Sequence, residues 1–365
     1  MDKKQYKISE LAKKYKDFSV PTKAIKIKGK ALESAGIAAA NLSVELSVKE
    51  AASSCTFDII NAYDLKKRSF NKDWLDKHFK LGNIVEIHLG YIETVLVYTG
   101  YISMVSADFS ESEFPKLSIE CMDVKGLMMS DVKSEKKVYD TYADAVKKVL
   151  NDYKALAKKV EVDTTPKLEH PIEQNRQSDY DFVLDLAKKL NYEFFAIQDT
   201  VYFREPRKIT KPIISFEWGQ YVMSFSRDIG LHCQVSEVTV RGYDTKNHKV
   251  VEGKADKVKK AGKGTKEADG VTTLIKGAKL TIVDETITTA DEAKKRAEAE
   301  LDRRSMNFVK GTGTCIGLPE IIPGRFLQLK NFDPTIDNDY YITNVKHSFN
   351  DSGYTTTFNV AVNVI

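Results

Sequence analysis

Histidine and cysteine are the side chains that most often bind metals or act as nucleophiles, and here their spacing builds no site. The histidines are His78, His88, His170, His232, His248 and His347, with no HExxH pattern and no close pair. His232 and Cys233 are neighbours, so on a strand they point to opposite faces and share no metal. His347 falls mid-strand, where a packed or surface histidine is expected rather than a ligand. Cys55, Cys121, Cys233 and Cys315 lie far apart in strand-like runs without a CxxC pair, so zinc spacing is absent. They are expected as free, buried thiols that pack as small hydrophobes. No GxSxG elbow occurs, which removes the commonest serine-hydrolase mark. GKGT at Gly262–Thr265 lacks the upstream glycine and the Lys-Ser/Thr of a phosphate loop, and it sits among lysines rather than at a strand-to-helix turn. Carboxylates are plentiful but fall mostly on outward faces or in turns; a glycosidase needs two converging at a set separation. The expectation is a protein with no catalytic residue, no cofactor and no metal.

Composition narrows the class further. The 365 residues suggest two or three domains, and 42% hydrophobic residues suffice for real cores. The net charge of +4, from 56 basic and 52 acidic residues, is too balanced for a chain that works by gripping nucleic acid. The opening MDKKQYKISELAKKYKDF is charged throughout, without the apolar core of a secretory signal. No run approaches the roughly 18 apolar residues that span a bilayer. Folding in the cytosol without a membrane anchor is expected, with release by lysis or inside a larger particle.

Most of the chain reads as β. KAIKIKG alternates from Thr22, and Leu42, Val44, Leu46 and Val48 share a face. SCTFDII follows. Val85, Ile87 and Leu89 share a face, as do Val95, Val97, Thr99 and Tyr101; after a polar loop at Ser110–Pro115, KLSIECM resumes the meander. At the other end, GRFLQLKNF precedes a long hairpin with an NDSG tip. Tyr341, Thr343, Val345, His347 and Phe349 line one face of its first strand; Tyr354, Thr356, Phe358, Val360 and Val362 line one face of its second.

A different texture interrupts the strands. Tyr142, Val146, Val149, Leu150 and Tyr153 recur at helical spacing. Ser178 is a helix cap by chemistry, Phe182, Leu186 and Leu190 form a stripe, and Asn191 is a stop. EFFAI and VYFRE then pair as a hairpin about Gln198–Asp199. Later, KADKVKKAGKGTKEADG offers little to bury and reads as a solvated, flexible insertion. Thr289 and Glu292 form a capping box that opens a helix carrying Ala293, Ala297 and Leu301 inward. The expected parts are a β-barrel over 1–135, an α+β module over 136–210 with two helices and a hairpin, and a second β-barrel over 211–245 with 271–365 that includes a helix at 289–308. The flexible lysine-rich insertion is placed at 246–270.

The two β-regions look alike. LGNIVEIHLG, VLVYTGYISMVSADF, SESEFP and KLSIECMDV follow the same plan as PGRFLQLKNF, DYYITNVKHSF, NDSG and YTTTFNVAV. Each has a glycine-led strand, a long strand with an early aromatic, a polar turn and a closing strand. Two related barrels in one chain are expected. Three such chains would give a ring of six similar units, able to face a six-fold partner on one side and a three-fold partner on the other.

The stretch SDYDFVLDLAKKLNYEFFAIQDTVYFRE resembles the motif of hub proteins of contractile injection systems: phage late control D proteins, the hub parts of type VI secretion spike proteins and R-type bacteriocin hubs. The match lies at Ser178, Asp179, Tyr180, Asp181 and Phe182, at Leu186, and in the hairpin Tyr192–Arg204. The closing hairpin is also similar, at Tyr341, Thr343, Val345 and His347 and at Tyr354, Thr355 and Thr356. The resemblance covers most of the chain. It implies a fold of class α+β, mainly β, with two related antiparallel tube-protein-like barrels and the inserted module, assembled as a trimeric ring. It implies a non-enzymatic baseplate hub that joins a hexameric inner tube protein to a trimeric spike protein, meets baseplate wedge proteins, and nucleates tube assembly. It places the protein in the bacterial cytoplasm during assembly, then in a phage or phage-tail-like particle. Type VI spike proteins continue into an OB-fold and needle; this sequence stops at Ile365, so a separate spike is expected. Two other readings remain open at this point: a tail-associated cell-wall hydrolase or glycan-binding protein, and a distal tail protein of a non-contractile phage.

Overall fold

The computed structural model describes residues 1, 3–49, 51–130, 132–133, 138–244, 246–264 and 277–365. Twelve strands of its large sheet fall into two runs of six. The first run is β1 (Thr22–Ile27), β2 (Ala39–Ser47), β3 (Ser54–Ile59), β4 (Ile84–Gly90), β5 (Thr94–Asp108) and β6 (Lys116–Met122). The second is β7 (Pro212–Glu217), β8 (Val222–Ile229), β9 (Val309–Ile316), β10 (Phe326–Lys330), β11 (Asp339–Asn350) and β12 (Gly353–Val362). In space the first run is ordered β2-β3-β6-β5-β4-β1 and the second β8-β9-β12-β11-β10-β7. Each strand of the second run therefore holds the place of the strand six earlier.

The likeness extends to single hydrogen bonds. Gly82 and Gly324 both have a φ of 82°, a conformation that costs other L-residues roughly 1–2 kcal/mol. The Gly82 N–H donates to Ile102 O at 2.9 Å, and the Gly324 N–H donates to Ile342 O at 2.9 Å. Ile102 N–H answers to Asn83 O, and Ile342 N–H to Arg325 O. Just beyond, both long strands carry a bulge against the closing strand, between Ile102 and Met104 and between Ile342 and Asn344. The runs differ in one pairing: β1 lies antiparallel to β4, while β7 lies parallel to β10.

The two runs do not close separately. β2 pairs with β11, so the described pairings make one 13-stranded sheet. One core follows: Ile25, Val44, Phe57, Ile87 and Ile119 of the first run join Phe216, Leu327, Val345, Phe358 and Val360 of the second. The N-terminal segment crosses to the second run, where Tyr6 bridges Ile214 and the Tyr15 hydroxyl donates to Glu320 at 2.6 Å.

The middle module has its own core. Helices Tyr142–Leu150 and Asp179–Leu190 carry Val146, Leu150, Phe182, Val183 and Leu186 against Phe194 and Phe203. The expected hairpin is present as Glu193–Ile197 paired with Thr200–Arg204, and Lys159–Val162 adds a parallel third strand. This module also meets β5 at a bulge. The register against β4 shifts at Val97, Val97 and Tyr98 are both buried in the main core, and Gln198 of the hairpin bridges Tyr98 and donates to Leu96 O at 2.8 Å.

Two expectations are corrected. The helix after the capping box, Ala290–Ser305, packs not in the second β-run but on a separate sheet of Lys249–Ala255, Glu237–Asp244 and Lys279–Val283. Val238, Val240, Val251, Ala293, Ala297 and Leu301 give that insert its own core. The lysine-rich stretch is also more ordered than its composition suggests: Lys249–Ala255 is a strand, with Val251 and Ala255 turned inward. Ala261 N–H donates to the buried Asn363 at 2.7 Å. Residues 265–270 of that stretch lie outside the described residues. Gly253 permits the helix to sit close, since a Cβ there would lie 2.1 Å from the Lys294 backbone nitrogen. Gly253→Val is expected to cost about 1–3 kcal/mol and to expose the insert to limited proteolysis first, with the large sheet still folded.

Candidate assembly interface

The motif residues position the module. The Ser178 hydroxyl accepts from the Asp181 N–H at 3.0 Å, capping the helix. Asp179 is buried and accepts from the Tyr153 hydroxyl at 2.6 Å and the Gln174 amide at 2.8 Å. Tyr180 meets Phe194, Phe182 meets Tyr139, and Leu186 is buried beside them. Asn191 ends the helix with a φ of 54°. These contacts fix both ends of the helix and pack it against the hairpin that follows.

The docking is polar and buried. Glu193 faces Arg204 across the hairpin, and Arg204 contacts it at 3.3 Å while donating to Gly324 O at 2.6 Å. The guanidinium also lies over the Phe195 ring, 5.0 Å from its centroid. The Tyr341 hydroxyl of β11 donates to Glu193. Burial pushes the Glu193 carboxyl above its ordinary value, partly opposed by Arg204, and pushes the Tyr341 phenol well up. Beside this network, Arg207 grips Asp302 with contacts of 2.6 and 2.7 Å, and Asn191 donates to Asp302 at 2.9 Å. These groups border a cleft of about 980 Å³ between the module, helix Ala290–Ser305 and the outer face of β9 and β12. Glu193 and Asp302, two carboxylates of that cleft, are each committed to an arginine. Among the described residues no group of three or more His, Cys, Asp or Glu could hold a metal, and no helix is long and apolar enough to cross a membrane.

The other motif residues lie at the join of the two runs. β11 pairs with β10 through Tyr341, then passes to β2: Val345 faces Leu46, His347 faces Val44 and Phe349 faces Leu42. Thr343 begins this seam, its carbonyl accepting from the Val48 N–H at 3.1 Å. His347 is fully buried and bonds through Nδ1 to the Thr356 hydroxyl at 3.1 Å and the Tyr354 hydroxyl at 3.0 Å. Burial drives its imidazole down to about 3, slightly opposed by a bond at the Ile321 backbone. Thr356 also accepts from the Leu318 N–H at 2.9 Å, and Thr355 faces Ser348 and Ile316 across the two neighbouring strands. Three of the four cysteines are buried as expected; Cys233 is exposed.

Among the described residues the counterparts of the two edges joined in the internal seam are left unpaired. β5 pairs with β4 through Tyr101, and Ile102 bonds to Asn83. From Ser103 to Asp108 that edge has no strand beside it among the described residues. It is the counterpart of the β11 edge that β2 occupies. β8, the counterpart of β2, ends the sheet, with no strand beyond it among the described residues. Both edges carry exposed apolar side chains: Met104 and Phe109 (64%) at one, Met223 (58%) and Ile229 (47%) at the other. Sequence reasoning missed these edges and the Glu193–Arg204 pair. Signals existed: β5 has 15 residues against 7 in each strand beside it, and a two-residue turn at Gln198–Asp199 puts Glu193 opposite Arg204.

The family model described as the Alg8 N-terminal domain matches residues 17–351. No curated protein matches this chain. Among solved structures, it is similar to the 43 kDa tail protein of prophage MuSo2 from Shewanella oneidensis, at TM-score 0.70 and 15% identity, covering 93% of this chain and 97% of that one. It is similar to the tail protein from Neisseria meningitidis MC58, at TM-score 0.70 and 14% identity, covering 94% and 96%. It is also similar to the E. coli c3393 protein, described as a component of the type VI secretion system, at TM-score 0.52 and 11% identity, covering 92% and 76%. At such identities these are likenesses of fold. The hub resemblance read from the two motifs is met at that level by tail and secretion proteins, while the matching family model is not named for late control D.

Proposed function

This chain belongs to the Alg8 N-terminal domain family, and from the geometry of its doubled sheet we propose that it is a structural component of a phage tail or tail-like injection particle. In the finer reading it is the baseplate hub. Three copies form a ring of six similar units, one face meeting a six-fold inner tube and the other a three-fold spike, with wedge proteins at the periphery. The ring forms in the bacterial cytoplasm and leaves within the particle. Its work is mechanical: it matches symmetries, seeds the tube and carries the thrust of contraction.

One observation carries this reading: a single chain repeats the strand order 2-3-6-5-4-1 and joins the two copies edge to edge. Such a chain presents two similar surfaces per subunit, and head-to-tail addition closes into a ring when the rotation allows. The fold shared with phage-tail proteins and a type VI secretion component supports the setting. The commitment of Glu193 and Asp302 to arginines supports a non-enzymatic role. Solution mass measurement and particle imaging test it. The expected species is three 41.2 kDa chains around an axial channel, and a candidate tube protein should polymerise from one face. A chain that stays monomeric with and without that tube protein overturns the reading.

A further inference from the structure

We infer that the open half of β5 is the landing edge for β8 of a second copy of this chain, in a register dictated by the seam inside the chain. This inference rests on the ring reading above and deepens it by naming the surfaces.

The register follows from equivalences already in the structure. Ile102 corresponds to Ile342 through their matching bonds and bulges, so Val105, Ala107 and Phe109 correspond to Val345, His347 and Phe349. On the other strand, the chain of partners runs from β12 through β9 to β8 as it does from β6 through β3 to β2. Cys121 pairs with Cys55, which pairs with Val44; Val360 pairs with Gly311, which pairs with Arg227. Thus Phe225, Arg227 and Ile229 correspond to Leu42, Val44 and Leu46. Transferring the seam gives Val105 opposite Ile229, Ala107 opposite Arg227 and Phe109 opposite Phe225.

The chemistry fits. The internal seam joins Val345 to Leu46 and Phe349 to Leu42; the transferred register joins apolar to apolar at the same two places. It covers Phe109 and Ile229, both largely exposed in the single chain. Backbone direction fits too. The Gly230 N–H points back to Phe308 O within the sheet, so by alternation the Ile229 and Arg227 N–H groups point outward, toward the incoming edge. An unpaired edge with exposed apolar side chains is a template for another strand. Each copy has one edge of each kind, so copies join head to tail rather than face to face.

Cross-linking tests the register. Ser106 and Asp228 fall opposite each other, at the place of Lys346 and Glu45. This pair exchanges no backbone bonds, and such pairs lie about 4.5 Å apart at Cα, within disulfide reach. In a Cys233→Ser background, Ser106→Cys with Asp228→Cys is expected to yield covalent dimers and trimers on mild oxidation, reversed by a thiol reductant. Ser106→Cys with Ser224→Cys, displaced along the strand, is expected to yield none. Ile229→Pro removes an outward N–H at an edge that tolerates proline and should leave a folded monomer. A trimer by mass that fails to cross-link at 106 and 228, or links equally at the displaced pair, refutes the register and leaves the ring standing. Persistence of the trimer in a folded Ile229→Pro chain also refutes it. A wild-type chain that stays monomeric with tube protein refutes both.

Discussion

Replacing Arg204 by leucine is expected to destabilise the chain by about 3–5 kcal/mol, the usual cost of leaving a buried charge without its partner. Arg204 is 4% exposed and holds Glu193 and Gly324 O while stacking on Phe195. Without it the Glu193 carboxylate keeps the Tyr341 hydroxyl and the weaker pull of the Arg207 charge. Burial already raises the Glu193 carboxyl, and losing the cation raises it further. A carboxyl raised in the folded state binds protons that the unfolded state has released, so the variant's stability should fall as pH rises above about 4.3. Chemical denaturation at several pH values measures this. The double variant Arg204→Met with Glu193→Gln should recover most of the loss, because a neutral pair leaves no orphan charge and Gln still accepts from Tyr341. If the single variant unfolds like the wild type, the network does not hold the hairpin to β11.

His347 gives the second large effect. Its folded value of about 3 lies below the roughly 6.5 of an unfolded histidine. The folded state therefore excludes a proton that the unfolded state takes up. The stability this supplies is complete above about pH 6.5 and is lost as pH falls toward 3. Between pH 7 and pH 5 the loss from this residue is about 2 kcal/mol, from 1.5 units at 1.36 kcal/mol each. His347→Gln keeps a polar group for Tyr354 and Thr356 but has no proton to gain. The wild type should lose its stability margin over the variant by about that amount on acidification. Equal acid dependence in the two proteins would show that His347 gains its proton without unfolding the seam.

Much of the architecture is legible in local chemistry. Alternation places Val85, Ile87 and Leu89 on one buried face, because a strand has only two faces and one of them meets the core. The caps at Ser178 and Thr289 and the stop at Asn191 are read from side-chain oxygens and from tolerance of a left-handed backbone, and each is where the sequence puts it. The repeat is legible because both copies need a glycine at the same left-handed turn, Gly82 and Gly324. Two features are misread by composition: the strand Lys249–Ala255, which pairs with the segment just before it, Glu237–Asp244, and the separate sheet under helix Ala290–Ser305, which is completed by the more distant Lys279–Val283. Lysines on the outer face of a strand look like a solvated loop until its neighbour is known.

The sequence by itself determined most of the strands, the helix ends and the doubled plan, since each rests on periodicity or on side chains within one turn of each other. Only the tertiary structure decided that the two runs share one sheet and one core, that Glu193 meets Tyr341, and that among the described residues β5 and β8 are left with open edges. Those facts are set by pairings across a hundred or more residues. The length of β5 signals a spare stretch of edge, but whether an edge is left open depends on a distant neighbour that no local pattern specifies.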